Sequence, residues 1–132
     1  MVLVDSNVIF DLWDRDPVWF RWSQAMVVSL GAIDDLAINP IIYAELAPRF
    51  NDAAALDREI EKFPFLLSEV PREAAFLAGK AHQVYRKQSG TKTGVLADFF
   101  IGAHASFLAC PILTRDTRRY ATYFPTVRLI TP

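Results

Sequence analysis

Four carboxylates, Asp5, Glu45, Asp98 and Asp116, fall where a parallel α/β chain would aim them at one edge of its sheet. Asp5 closes the apolar strand Val2-Leu3-Val4, and Asp116 follows Pro111-Ile112-Leu113-Thr114 after Arg115. Glu45 lies on the helix after Leu36-Ala37-Ile38-Asn39, and Asp98 opens the helix that feeds Ile112. Acids gathered from four distant segments repel one another unless a cation sits among them, so the pattern points to a divalent metal site. A donor set made only of oxygen suits Mg²⁺ or Mn²⁺, which keep several waters and accept phosphate oxygens as further ligands. Zinc has no support, because Cys110, His82 and His104 lack ligand spacing.

Each acid also has a plainer reading. Asp98 could be an N-terminal acid favoured by the helix dipole. Yet its helix is apolar on nearly every side, with Leu96, Phe99, Phe100, Ile101, Phe107 and Leu108, and a lone charge there is costly. Asp5 alone could cap a helix beginning near Ser6 or Asn7, and Asp116 one beginning near Thr117. Glu45 has small and apolar neighbours in Ala44, Leu46 and Ala47. His104, six positions after Asp98, faces about 120° away at ~100° per residue and reads as structural. Asp14, Asp16, Asp34 and Asp35 read as solvated surface, while Asp11, one or two turns below Asp5, is ambiguous.

The elements that must position these acids follow from pattern and punctuation. Asp16-Pro17 predicts an N-cap and first helical residue, with Val18, Trp19, Trp22, Ala25, Met26, Ser29 and Leu30 at helical spacing and Gly31 as the end. Asn39-Pro40 repeats the start signal for a shorter helix closed by Pro48. Asp52 to Lys62 reads as a charged amphipathic helix. Pro71 starts another that runs to about Lys87, residues 89–94 read as a loop, and an apolar helix covers about Leu96 to Leu108. Short β-type runs stand at 2–4, 36–38, 112–114 and 127–130, with a weaker one at Leu66-Leu67. Alternating strands and helices predict an α/β fold: a three-layer α/β/α sandwich on a central, mostly parallel sheet of about five short strands. Ligands of such sheets bind beyond the carboxyl ends of the strands. Covering helices run antiparallel to the strands, which brings Asp98 near Asp116, and a long Glu45 leaning toward its helix N-terminus reaches the same edge.

Size and composition bound the answer. The chain of 132 residues fits one domain, 1–132, and 52% hydrophobic with 22% charged residues argues for a folded globule. The net charge of -1 supplies no global basic field, so any polyanionic partner must be met by local patches or bound metal. A single cysteine and the lack of a signal peptide lead us to expect a cytoplasmic protein. The long apolar stretch Val95 to Leu113 approaches the ~20 residues of a membrane span. It contains Asp98, His104 and Pro111, so a buried helix and strand explain it better and no membrane association is expected.

At these same residues the chain resembles the PIN-domain family, and within it the VapC-type toxins of toxin–antitoxin pairs. Val4-Asp5-Ser6-Asn7-Val8 looks like the family's opening motif, Tyr43-Ala44-Glu45-Leu46 like the second, and Leu96-Ala97-Asp98-Phe99-Phe100-Ile101-Gly102-Ala103-His104-Ala105 like the third. Leu113-Thr114-Arg115-Asp116 matches the fourth. Bulky Phe99 departs from the smaller residue that many relatives carry there. The resemblance implies a Mg²⁺-dependent endoribonuclease, with Asp5, Glu45, Asp98 and Asp116 as catalytic metal ligands and Asn7 and Thr114 as supporting donors. It also implies an RNA substrate, a cognate antitoxin partner and a homodimer.

Arg86, Lys87 and Lys92, before Asp98, and Arg115, Arg118 and Arg119, after the fourth motif, are candidates to hold flanking RNA phosphates. The cluster Trp13, Trp19, Phe20 and Trp22 is a candidate lining for an antitoxin groove or dimer interface, with core packing as the alternative. A catalytically silent module that binds RNA or protein is the main rival, and it predicts damaged acids. A receiver-type phosphoacceptor wants an acidic pair after the first strand and a lysine after the last-but-one, where this chain has Asp5-Ser6 and Arg115-Asp116. A haloacid-type phosphatase needs a second Asp where Asn7 stands.

Overall fold

A computed structural model describes residues 1–88, 90–92 and 94–132. Five short strands, β1 (Val2–Val4), β2 (Leu36–Ile38), β3 (Phe65–Leu67), β4 (Ile112–Leu113) and β5 (Leu129–Ile130), form one sheet in the order β3-β2-β1-β4-β5. Every neighbouring pair is parallel, with Leu3 opposite both Ala37 and Ile112. Parallel strands need crossovers, and helices supply them: α1 (Ser6–Asp14), α2 (Phe20–Gly31), α3 (Pro40–Leu46), α4 (Ala53–Ile60), α5 (Arg72–Lys87), α6 (Leu96–Leu108) and α7 (Arg118–Tyr123). All of β1, β2 and β4 is buried, so both faces of the central strands are covered, as the unbroken apolar runs require. The expected α/β sandwich is what forms.

Local chemistry sets the starts. Asn39 caps α3 by accepting from the backbone N–H of Ile41 and Ile42 at 3.0 and 2.9 Å, with Pro40 in the first turn. Asp52 caps α4 by accepting from Ala55. One expectation fails: Asp16 and Pro17 do not begin α2. The Asp16 carboxylate accepts from Val18 and Trp19, both at 2.9 Å, which closes a local turn instead, and the helix starts at Phe20. Its core face is consequently Ser23 and Val27, and Val18 is left exposed.

Inside α6 a glycine is required by packing. A Cβ at Gly102 would lie 2.3 Å from the Phe124 ring, so any larger residue here forces that ring to shift from its place on this helix. His104 is fully buried, its ring nitrogens facing Asn39 Nδ2 at 3.1 Å and Ser68 Oγ at 3.5 Å. That is the structural role expected of it. Of the loop expected over 89–94, Ser89 and Thr93 lie outside the described residues.

Candidate active site

β1 and β4 lie side by side, and both chains leave the sheet at the same edge, tied there by Asp5 N–H donating to the Leu113 carbonyl at 3.0 Å. Asp5 comes next after β1 and is 4% exposed. One of its oxygens accepts from Ser6 N–H at 2.8 Å. The other accepts from Thr114 Oγ1 at 2.8 Å, Tyr120 Oη at 3.1 Å and Asn7 Nδ2 at 3.2 Å. Asn7 also donates to Thr114 Oγ1 at 3.1 Å and accepts from Arg115 N–H, so Asn7 and Thr114 both support the Asp5 carboxylate. Burial raises the Asp5 pKa, the hydrogen bonds from Thr114, Tyr120 and Ser6 N–H oppose the rise, and the charge of Asp116 adds to it.

Glu45 enters from α3 and accepts from Ser6 Oγ at 3.2 Å. Burial first, then the charge of Asp5, pushes its pKa up to about 7. Asp98, in the first turn of α6, is pushed up to about 6 by burial and then by Asp5. Arg119 Nη1 donates to Asp98 Oδ2 at 3.1 Å and pulls the other way. Asp116 is more open than Asp98, its side chain 44% against 27% exposed, and Arg118 Nε lies 3.6 Å away. A cleft of about 420 Å³ lies beside it, lined by Asn7, Arg115, Asp116, Thr117 and Arg118.

The fold thus brings all four acids to one sheet edge, where Asp5, Glu45 and Asp98 each feel the charge of at least one other. Among the described residues, no three His, Cys, Asp or Glu side chains are grouped, as oriented, to hold one metal ion. In donor chemistry the site fits a hard divalent cation: oxygen ligands only, with the proton affinity of Asp5, Glu45 and Asp98 raised. Closing on an ion would require these side chains to turn toward one another.

Several functional contacts escaped sequence reasoning. Tyr120, on α7, is buried with its hydroxyl on Asp5, and burial together with the nearby acids holds its pKa well above 10. Its four-residue spacing from Asp116 was the one available signal. Ambiguous Asp11 proves 2% exposed, accepting from Ser23 Oγ at 2.6 Å and from Arg115 Nε and Nη2, both at 2.8 Å. Arg115, a candidate phosphate contact, therefore has its guanidinium committed to Asp11, with the Trp19 ring 5.3 Å away. Arg86, Lys87 and Lys92 are exposed around the end of α5. Asp14 pairs with Arg49 and Asp34 with the N-terminus, so two acids read as merely solvated make surface ion pairs.

An apolar cleft of about 580 Å³ lies along α2 and is lined by residues that include Leu12, Phe20, Val27, Val28 and Phe63. Of the four aromatics proposed for a groove, Phe20 alone lines it. Trp13 instead packs edge-on against Phe50, and Trp22 against the core.

Residues 2–125 match the family model described as PIN domain. The structure superposes on VapBC-1 from nontypeable Haemophilus influenzae with a TM-score of 0.72 at 19% identity, covering 99% of this chain and 98% of that one. A toxin–antitoxin complex from Klebsiella pneumoniae gives 0.69 at 22% identity, covering 100% and 98%. VapBC2 from Rickettsia felis bound to a promoter DNA fragment gives 0.70 at 13% identity, covering 100% and 99%. At these identities the likeness is one of fold. No curated protein sequence matches the chain.

Proposed function

The chain belongs to the PIN-domain family, and from that premise we propose that it is a divalent-metal-dependent endoribonuclease, the toxin of a toxin–antitoxin pair. The observation that carries this is the convergence of Asp5, Glu45, Asp98 and Asp116, from four separated segments, on one edge of the sheet, with burial and mutual charge raising the proton affinity of the first three. Mg²⁺, with Mn²⁺ as a substitute, would be held by these four carboxylates. When bound, the cation stabilises charge on the scissile phosphate and on the leaving oxygen. Thr114, Asn7 and Tyr120 fix the direction of the Asp5 carboxylate, the tie that keeps a ligand in place without cost at the moment of reaction. In the metal-free protein burial and the charge of Asp5 push the Glu45 pKa up to about 7, so binding of the cation would be coupled to loss of a proton.

Arg86, Lys87 and Lys92, exposed around the end of α5, would serve as cations for flanking phosphates. Arg115 contributes by positioning, through Asp11 and the Asn7 contact, more than by free charge. The solved structures of like fold include toxin–antitoxin complexes, which supports a cognate antitoxin as partner. Homodimerisation and a cytoplasmic site of action complete the reading. No helix among the described residues is long and apolar enough to cross a membrane.

Purified protein incubated with total RNA and Mg²⁺, beside EDTA and an Asp98→Asn protein, tests the proposal. Discrete fragments from the metal-loaded wild type alone are expected. Folded, metal-binding protein that leaves diverse RNA intact would instead favour the silent module that binds RNA or a protein partner.

A further inference from the structure

A second, smaller cleft adjoins the acids on the α7 side. It measures about 260 Å³ and is lined by Tyr85, Lys92, Arg118, Arg119, Thr122 and Tyr123. Three of these six residues are cationic and none is acidic, in a chain whose net charge is -1. Contacts between its walls give it a defined shape. Lys92 N–H donates to Tyr85 Oη at 3.1 Å, Tyr123 Oη donates to Gln88 Oε1 at 3.1 Å, and the two tyrosine rings meet edge to face at 6.1 Å.

Arg119 links this cleft to the acid cluster. Its Nη1 holds Asp98 at 3.1 Å, and 17% of the side chain stays exposed. Lys92 and Arg118 are exposed. The volume falls below the roughly 300–1,000 Å³ that encloses a whole small ligand, which suits one segment of a polymer that enters and leaves. Clustered cations beside polarisable rings are the chemistry that tracks an unpaired nucleic-acid strand.

We propose that this cleft is a phosphate subsite for the unpaired strand, holding a backbone phosphate next to the bond cut at the four acids, with Lys92, Arg118 and Arg119 as its cations. This rests on the nuclease reading and names where that site grips its substrate. The tyrosines form the walls against which the sugar and base of the same nucleotide lie.

The test uses a Glu45→Gln protein, whose substitution lies outside the cleft, and fluorescence anisotropy with labelled unpaired 12-nucleotide RNA and DNA of one sequence. Adding Lys92→Glu and Arg118→Glu should weaken binding at least about tenfold and lower the salt slope by about 0.7 for each phosphate no longer neutralised. A charge-matched control on α4, Arg58→Glu with Lys62→Glu, should retain the parent affinity. The milder pair Lys92→Ala and Arg118→Ala, on exposed side chains, should weaken binding in the same direction if the charge reversal disturbs folding. Unchanged affinity and slope in the folded cleft variants overturn the subsite, as does equal loss in the α4 control or failure of the parent to bind either strand. A subsite effect in the binding assay beside wild type that cleaves no RNA would overturn the nuclease reading instead, so the two fail separately. The ratio of RNA to DNA affinity tells which strand the cleft serves.

Discussion

At the residue scale the central fact is that burial and crowding raise the proton affinity of the acids. Glu45 titrates near 7 and Asp98 near 6, against ordinary values of 4.5 and 3.8. For an acid raised in the folded state, the stability it contributes is fully present below its unfolded pKa and is lost as pH rises through the folded one. Metal-free protein should therefore lose thermal stability between about pH 4 and 7. Glu45→Gln should flatten that loss, gaining about 1 kcal/mol at pH 8, once solvent screening of a half-buried group is allowed for, and nearly nothing at pH 4.5. Melting curves of both proteins in EDTA across that range check it, and a parallel decline in the two would refute it. Tyr120→Phe removes one donor from buried Asp5, and a loss of about 1–3 kcal/mol in urea unfolding is expected.

At the element scale, two contacts decide how the helices sit around the sheet edge. Arg115 ties the segment after β4 to Asp11 of α1, and Asp11 ties α1 to Ser23 of α2. Arg115→Ala would leave a buried carboxylate without its cation, which costs about 3–5 kcal/mol in comparable pairs. Asp11→Asn with Arg115→Met should cost clearly less, because no charge is stranded, and a double-mutant cycle by chemical denaturation measures the difference. Gly102 sets the approach of Phe124 to α6. Gly102→Ala should destabilise by about 1–3 kcal/mol through overpacking, despite alanine's better helix propensity. A stabilised Gly102→Ala protein would show that Phe124 moves aside freely.

For the whole molecule, the sheet gathers the four acids at the cost of mutual repulsion, and a divalent cation relieves it. Mg²⁺ should raise the melting temperature, by an amount equivalent to about 2.7 kcal/mol at a hundred times its dissociation constant. The gain should be larger at pH 8 than at pH 5.5, since the carboxylates must be ionised to bind. Equal gains at both pH values, or the same gain in an Asp5→Asn protein, would argue against the acids as ligands.

The sequence by itself determined the parallel sheet, the order of its helices and the residues that could bind a hard cation. Unbroken apolar runs such as Val2-Leu3-Val4 can be buried only between two layers, and the acids at strand ends then share an edge. The start signalled by Asn39-Pro40 was legible from its cap, and the amphipathic helix near Asp52 from its periodicity. Asp16-Pro17 was not, because a side chain that can cap a helix can equally close a turn, as Asp16 does before Phe20. Only the tertiary structure decided which polar groups meet: Tyr120 with Asp5, Arg119 with Asp98, and Arg115 with Asp11 rather than with open solvent. Those pairings join residues up to 115 positions apart. Periodicity along one segment specifies the face a side chain takes, whereas its partner is fixed by how separate segments pack.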